Sequence, residues 1–285
     1  MPAAAPHHLP LPLRAIARLG ARRPWLGTGH LLASRLLKED VLYRDAQGFP
    51  LRIDPSDPFQ RLMIMGWFDP VVEAIFKPHV PRGGIAIDAG ANIGYFTLRL
   101  ARAVGATGQV HAFEADPRIA TRLREHVARA AFEWVAVNEV ALHESSGRQL
   151  TFRLTDQWGW GGVEDEVWEA SGSATVTSVA LDDYLEERGV APESVSFIKV
   201  DVEGAEVPAL AGMARTLERG TAPVLVEVIP WRLENQGRSA EGLVGFMREC
   251  GYEPWSPSSF DGRRVHLVPG AVPAIGEDVL FQKRT

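Results

Sequence analysis

A single cysteine, Cys250, stands in the 285 residues of this chain. A lone thiol closes no internal disulfide and supplies no thiolate-rich metal site, which excludes both kinds of cysteine scaffold. Acidic residues are absent from the start of the chain: the first is Glu39, while Arg14, Arg18, Arg22, Arg23, Arg35 and Lys38 precede it. That segment reads as a packing or partner helix, with a targeting or membrane-surface segment as the alternative. No secretory core is visible there, because Pro10, Pro12 and Arg14 interrupt it. No apolar run reaches the roughly 20 residues of a membrane helix, so no transmembrane segment and a cytoplasmic location are expected. A basic excess is missing too. The 30 Lys+Arg against 36 Asp+Glu give −6, which argues against a whole-domain grip on nucleic acid. Neither an internal repeat nor a low-complexity linker divides the chain. What remains is 46 % hydrophobic and 23 % charged, a soluble globular composition with enough apolar residues for a sizeable core.

From Gly84 onward, short β-branched or apolar runs alternate with helix-like stretches, the pattern of βαβ units around a parallel sheet. Strands are predicted over Ile85–Asp88, Gln109–Glu114, Val135–Val140, Ser196–Val200, Val224–Glu227 and Val279–Gln282. Tyr95–Val104 carries Phe96, Leu100 and Val104 at helical spacing, and a second helix opens with Asp116 as N-cap and Pro117 at its first position. Upstream, Val41–Arg44 and Pro50–Ile53 are strand-like and Phe59–Phe76 is helical. Residues 149–179 break the alternation. Gln149–Leu154 and Ala174–Val179, joined by a Trp- and Gly-rich loop, read as a hairpin inserted between the third and fourth parallel strands. Insertions there sit near the carboxyl edge of the sheet, where open α/β sheets bind ligands.

Asp88-Ala89-Gly90-Ala91-Asn92-Ile93-Gly94 follows a strand and precedes a helix. Glycines permit the tight turn and let a ligand approach the backbone. A dinucleotide fingerprint needs glycines at relative positions one, three and six, which Gly90 and Gly94 do not supply. Asp88 would repel a pyrophosphate but suits an ammonium group and hydroxyls. At the end of the second strand, Glu114 matches the paired hydroxyls of a ribose. An acid–glycine loop with a second-strand acid fits S-adenosylmethionine better than a nicotinamide cofactor.

A second cluster, Ile198-Lys199-Val200-Asp201-Val202-Glu203-Gly204-Ala205-Glu206, again follows an apolar strand and opens a helix. Strand alternation puts Asp201 and Glu203 on one side, facing one pocket. Either can serve as the base for a hydroxyl nucleophile, since two close carboxylates raise one another's pKa. Glu206 has two readings, functional or simply favourable at a helix N-terminus. Trp158, Trp160 and Trp168 in the inserted loop fit either the substrate face or a small satellite core, and Trp231 beyond Glu227 and Pro230 is a further candidate to line the pocket. Trp158, Trp160, Glu227 and Trp231 are the substrate-binding expectations. His111 and His126 read as structural, while His143 could approach the site.

The segments Asp88-x-Gly90-Ala91-Asn92-Ile93-Gly94-Tyr95, Phe113-Glu114-x-x-Pro117 and Ile198-Lys199-x-Asp201-Val202-Glu203-Gly204-Ala205-Glu206 resemble the FkbM family of S-adenosylmethionine-dependent methyltransferases. They occur in the family's order, and Gly66-x-Phe68-Asp69-Pro70 resembles its pre-motif segment, with Asp69 in place of the usual Glu. The resemblance implies an α/β fold: a Rossmann-like, seven-stranded class I methyltransferase sheet with its last strand antiparallel. To that fold the sequence adds the inserted hairpin and an N-terminal helical extension. Residues 1–80 would be the extension or cap and 81–285 the catalytic domain. Asp88, Gly90, Asn92 and Gly94 would surround the methionine part of the cofactor. Glu114 would hold the ribose, and Ala141 and Leu142 would flank the adenine. Asp201 would act in catalysis or bind the cofactor's amino group. The expected activity is O-methylation of a hydroxyl on a sugar or other natural product. N- or carboxyl-methylation and a non-catalytic cofactor-binding protein are the alternatives. The expected partner is a small-molecule, glycan or natural-product substrate rather than nucleic acid, with a homo-oligomer left open. Asp-x-Glu is a weak metal signal, so a divalent ion is allowed but not favoured.

Overall fold

A computed structural model of the chain describes residues 40–45, 47–65, 68–155, 161–163, 170–270 and 276–284. Of the expected N-terminal extension, residues 1–80, the arginine-rich stretch up to residue 39 lies outside the described residues. The chain divides into two compact units, one made of residues up to Pro70 with Glu125–Ala131, the other of Val71–Arg124 with Phe132 onward.

In the first unit, β1 (Val41–Arg44) pairs antiparallel with β2 (Pro50–Ile53). Their turn is tied by Asp45, whose Oδ1 accepts from the amides of Gln47 and Phe49. Asp57 precedes α1 (Pro58–Met65) and caps it by accepting from the Gln60 amide at 2.9 Å. Phe49, Leu51, Ile53 and Met63 are buried together with the imidazole of His126, whose Nε2 accepts from the Arg52 amide at 2.7 Å. The single helical piece expected over Phe59–Phe76 is two helices, α1 and α2 (Pro70–Phe76). Pro70 opens the second because its fixed φ and missing N–H suit a first helical position and no later one.

The second unit is built on an eight-stranded sheet of order β13-β12-β14-β11-β10-β3-β4-β5. Its parallel part comprises β3 (Ile85–Ala89), β4 (Gln109–Phe113), β5 (Val135–Asn138), β10 (Val195–Val200) and β11 (Val224–Val228). β14 (Glu277–Lys283) runs antiparallel to β11 and to β12 (Tyr252–Phe260). These seven form the expected Rossmann-like sheet with its last strand reversed. An eighth strand, β13 (Val265–Pro269), pairs antiparallel with β12 at the edge. Helices α3 (Tyr95–Val104) and α4 (Pro117–Ala130) follow β3 and β4. The Arg118 amide donates to Asp116 Oδ1 at 2.8 Å, the expected cap of α4. Ile87, Ala89, Ile198, Val200, Val224, Val226 and Phe281 are essentially buried to completion between the layers, and removal of that apolar area from water is the main force holding the unit together.

The insertion is larger than a hairpin. β6 (Ala141–Leu142), β7 (Gln149–Thr155), β8 (Gly162–Val163) and β9 (Ala170–Val179) form a second sheet of order β6-β9-β7-β8. Leu150, Phe152, Val163 and Val176 bury a small core there with Ala141 and Ala205, and Ala115 and Val202 pack against it. The inserted sheet thus rests on residues adjoining Glu114 and Glu203. Further along lie α5 (Leu181–Glu187), α6 (Glu206–Ala211), α7 (Ala214–Arg219), α8 (Pro230–Asn235) and α9 (Ala240–Glu249). No helix among the described residues is long and apolar enough to cross a membrane.

Candidate active site

Register brings the carboxyl ends of four strands side by side. Ala89 lies opposite Phe113 on β4 and opposite Val200 on β10, and Val200 lies opposite Val226 on β11. The residues just beyond these positions are Gly90, Glu114, Asp201 and Glu227.

The glycine turn begins with Gly90, whose amide donates to the Phe113 carbonyl at 3.0 Å, as the Ala91 amide does at 2.9 Å. Gly90 has φ +77, and a Cβ there would lie 1.7 Å from the carbonyl oxygen of Asp201. Only glycine meets both the left-handed backbone and that approach. Asn92 also has positive φ, 50°. Its Oδ1 accepts from the Ile93 amide at 2.6 Å and its own amide donates to Glu114 Oε2 at 2.8 Å. Gly94, φ 92, opens α3.

Asp88 is fully buried. Its Oδ2 accepts from Thr97 Oγ1 at 2.6 Å, while its buried Oδ1 finds no hydrogen-bond partner among the described residues. Burial pushes its pKa up, opposed by Lys199 and the Thr97 bond. A buried, unmatched carboxylate oxygen beside a glycine turn fits an ammonium-bearing ligand. Glu114 accepts the amides of Asn92 and Asp116, one on each oxygen at 2.8 Å. Burial raises it to about 7 despite those two bonds. Each oxygen keeps a further lone pair for a hydroxyl donor.

The acid cluster has an arrangement that strand alternation does not give. β10 ends at Val200, and Asp201–Ala205 form a turn before α6. Glu203 there has φ 56, a left-handed conformation costing a non-glycine residue about 1–2 kcal/mol. Glu203 therefore reaches Asp201 through the turn rather than along a strand. Asp201, Glu203 and Glu227 each present an oxygen within 4.8 Å of the others. Glu206 braces the turn by accepting from the Gly204 amide at 2.9 Å and the Val202 amide at 3.3 Å. Burial pushes it to about 7.

The charges in this cluster are unequal. Lys199 lies opposite Asp88 in the sheet, is 3 % exposed at its side chain, and reaches Asp201 Oδ2 at 2.6 Å. Burial disfavours both charges, but the pair outweighs it, raising the lysine and lowering the aspartate. Glu203 is pushed to about 8 by burial and the Asp201 charge, against the pull of Arg232. Arg232 Nη1 lies 3.0 Å from Glu203 Oε2. Glu227 rises well above the ordinary range through burial and the charges of Asp201, Glu203 and Asp278, and it hydrogen-bonds Asp201. Burial and mutual repulsion thus raise Glu203 and Glu227, while Lys199 keeps Asp201 low. Lys199 and Arg232 already sit on two of these three carboxyl groups, so a divalent cation would have to compete with both.

Of the other expected residues, Ala141 is 4 % exposed on β6 in the small core. Trp231 is 44 % exposed at the first turn of α8, with the Arg232 guanidinium 5.1 Å from its ring centre. Trp158, Trp160 and Trp168 lie outside the described residues. His111 is 4 % exposed, has a pKa lowered to about 4 by burial, and lies 2.9 Å from the Tyr184 hydroxyl. The His143 amide donates to the Val179 carbonyl at 3.0 Å. Sequence reasoning gave no role to Lys199, Arg232 or Asp278. A lysine inside the apolar strand Val195–Val200 is itself a signal; an arginine in a short helix beyond a strand is not.

Residues 88–254 match the methyltransferase FkbM domain family. The curated 2-O-methyltransferase NoeI of Sinorhizobium fredii (strain NBRC 101917 / NGR234) is 29 % identical over 154 residues, which is 47 % of this chain and 59 % of that protein. The chain therefore spans less than two thirds of that relative. Among solved structures, methyltransferase FkbM from Methylobacillus flagellatus KT aligns over 92 % of this chain and 60 % of its own, at 14 % identity and TM-score 0.44. An O-methyltransferase from Bacillus cereus aligns over 95 % and 90 %, at 14 % identity and TM-score 0.43.

Proposed function

This chain belongs to the methyltransferase FkbM family, and we propose that it uses S-adenosylmethionine to methylate a hydroxyl group of a sugar or other natural product. The observation that carries the reading is the gathering of Asp201, Glu203 and Glu227 beside the glycine turn. When bound, the cofactor would supply a sulfonium methyl group whose carbon an in-line nucleophile takes, with the thioether as leaving group. Everything else falls to the chain. Asp88 Oδ1 takes the cofactor's amino group, Gly90, Asn92 and Gly94 enclose its methionine part, and Glu114 accepts the ribose hydroxyls. Ala141 flanks the adenine. Holding donor and acceptor in line supplies much of the rate, on the order of 7–11 kcal/mol in the best model systems.

Glu203 is the base that takes the acceptor's hydroxyl proton: burial raises it to about 8, while Lys199 keeps Asp201 low. Asp201 stays ionised against Lys199 and keeps negative charge where a cationic donor binds. Trp231 and Glu227 face the acceptor, and Trp158 and Trp160 extend that surface on sequence grounds. Residues 81–285 form the catalytic domain and the preceding residues an extension. The NoeI relative, itself a 2-O-methyltransferase, supports the choice of a hydroxyl acceptor.

The test pairs calorimetry with transfer of labelled methyl groups from S-adenosylmethionine to a panel of hydroxyl, amine and carboxyl acceptors. Binding with transfer to hydroxyls is expected. Transfer confined to amines or carboxyls, or binding without any transfer, would overturn the proposal.

A further inference from the structure

Among the charged groups around the acid turn, one is a cation that lies outside the three sequence motifs. Arg232 is on α8, two residues into a helix that follows β11. Its side chain is only 6 % exposed, against 23 % for Glu203. Nη1 lies 3.0 Å from Glu203 Oε2 and 3.4 Å from Glu203's own carbonyl oxygen. One guanidinium therefore grips both the side chain and the backbone of a residue whose φ is 56°. The next residue, Gly204, has φ +103, and a Cβ on it would stand 3.2 Å from Gln236 Nε2 and 3.5 Å from Arg232 Cβ. The turn is thus seated on one face of α8 through positions 232 and 236. Gln236 in turn donates to the Val163 carbonyl of the inserted sheet at 3.3 Å.

We propose that Arg232 is a positioning residue for Glu203, fixing the left-handed turn and aiming the carboxylate at the reacting edge. The two N–H groups of Nη1 point in fixed directions in the guanidinium plane and so hold a carboxylate and a carbonyl in one geometry, which the freely rotating ammonium of a lysine does not impose. The same cation favours Glu203's ionised form, so it sets the pH at which the carboxylate becomes available. This rests on the reading of Glu203 as the base. Other groups facing Glu203 are Asp201, Glu206, Lys199 and, from β11, Glu227. Glu206 ties the flanking amides of Val202 and Gly204, whereas Arg232 alone of these groups engages the Glu203 carboxylate and carbonyl together.

The experiment compares wild type, Arg232→Gln and Arg232→Lys by two readouts. One is the pH profile of kcat/KM with the best acceptor. The other is the carboxyl titration of Glu203 in protein labelled with carbon-13 glutamate, assigned with Glu203→Gln. Loss of an opposite charge at this range shifts a carboxyl by about 1 unit or more. Arg232→Gln is expected to move both the acid limb and the titration upward by that amount, to lower kcat at pH 7.5 about tenfold or more, and to leave S-adenosylmethionine affinity within about twofold. Arg232→Lys should recover the titration more than it recovers kcat, because it restores charge without the fork. An unchanged titration in Arg232→Gln, or full recovery of kcat by lysine, would overturn the proposal. Should Arg232→Gln fail to fold, Arg232→Lys decides by the same split. If wild type methylates no acceptor, the functional reading fails while the titration still tests Arg232.

Discussion

Glu203 is where sequence pattern and chemistry part company. An Asp-x-Glu at a strand end is legible as two acids near one pocket, but which is the base depends on their neighbours. Lys199 holds Asp201 at 2.6 Å and makes it a poor proton acceptor, whereas burial lifts Glu203 to about 8. For the free enzyme, kcat/KM should therefore rise with pH along a limb centred near 8, since the base works only when deprotonated. Glu203→Gln should lose about 10²–10⁴ in rate and abolish that limb, measured by steady-state kinetics between about pH 6 and 10. Asp201→Asn should instead strand the ammonium of Lys199 and cost more in folding. The glycine turn and Glu114 were legible because their chemistry is carried by contiguous residues at strand ends. Arg232 was not, because its meaning comes from a contact across 29 positions of chain.

At the scale of elements, the parallel strands read clearly: each is a short β-branched or apolar run, and all but β5 have Gly, Asp or Pro at one end or both. The far edge of the sheet did not. β12 contains Pro254 and Pro257 and ends in exposed serines, features that argue against a strand. It forms because it lies beside the edge, with Pro254 opposite Phe281 on β14. The same edge holds two helix ends. Lys283 Nζ, near the end of β14, donates to the carbonyls of Leu217 at 2.5 Å, Glu218 at 3.1 Å and Cys250 at 2.8 Å. These are the terminal carbonyls of α7 and α9, where a cation also suits the helix dipoles. Lys283→Met should destabilise the protein by about 1–3 kcal/mol, read as a lower urea midpoint. It should leave S-adenosylmethionine affinity unchanged, because no cofactor contact is assigned to this edge.

For the whole molecule, the acids concentrated at one sheet edge give stability an unusual pH dependence. Glu114 and Glu206 titrate near 7 and Glu203 near 8 in the fold, against about 4.3 for an unperturbed glutamate. Each binds its proton more tightly when folded, so its contribution is complete below the unfolded value and is lost as pH rises through the folded one. His111, lowered to about 4 by burial, works the opposite way below about 6.5. His79 is lowered by burial too, while Glu227 and Asp88 are raised with the other acids, so the raised acids outnumber the lowered imidazoles and stability falls. Melting temperature without ligand should decline from about pH 5 to 8, and Glu114→Gln or Glu206→Gln should flatten the slope. A melting temperature that rises over that range would contradict the proton assignments. The acids at the strand ends were legible one by one, as Asp88, Glu114, Asp201 and Glu203; what neither they nor the net charge of −6 reveal is that Asp201, Glu203 and Glu227 meet within 4.8 Å.

The 1.7 Å that separates a would-be Cβ on Gly90 from the carbonyl of Asp201 has an evolutionary meaning. The loop that would grip the donor and the turn that would carry out the chemistry are interlocked along their main chains, with the Asp201 amide donating to the Ala89 carbonyl at 3.0 Å. Substitutions that erode one will displace the other, so descendants of this chain cannot easily shed turnover while keeping affinity. A lineage drifting toward a pure binding role would have to leave positions 90 and 201 untouched and lose Glu203 or Arg232 first, and those two positions are where decay should be looked for.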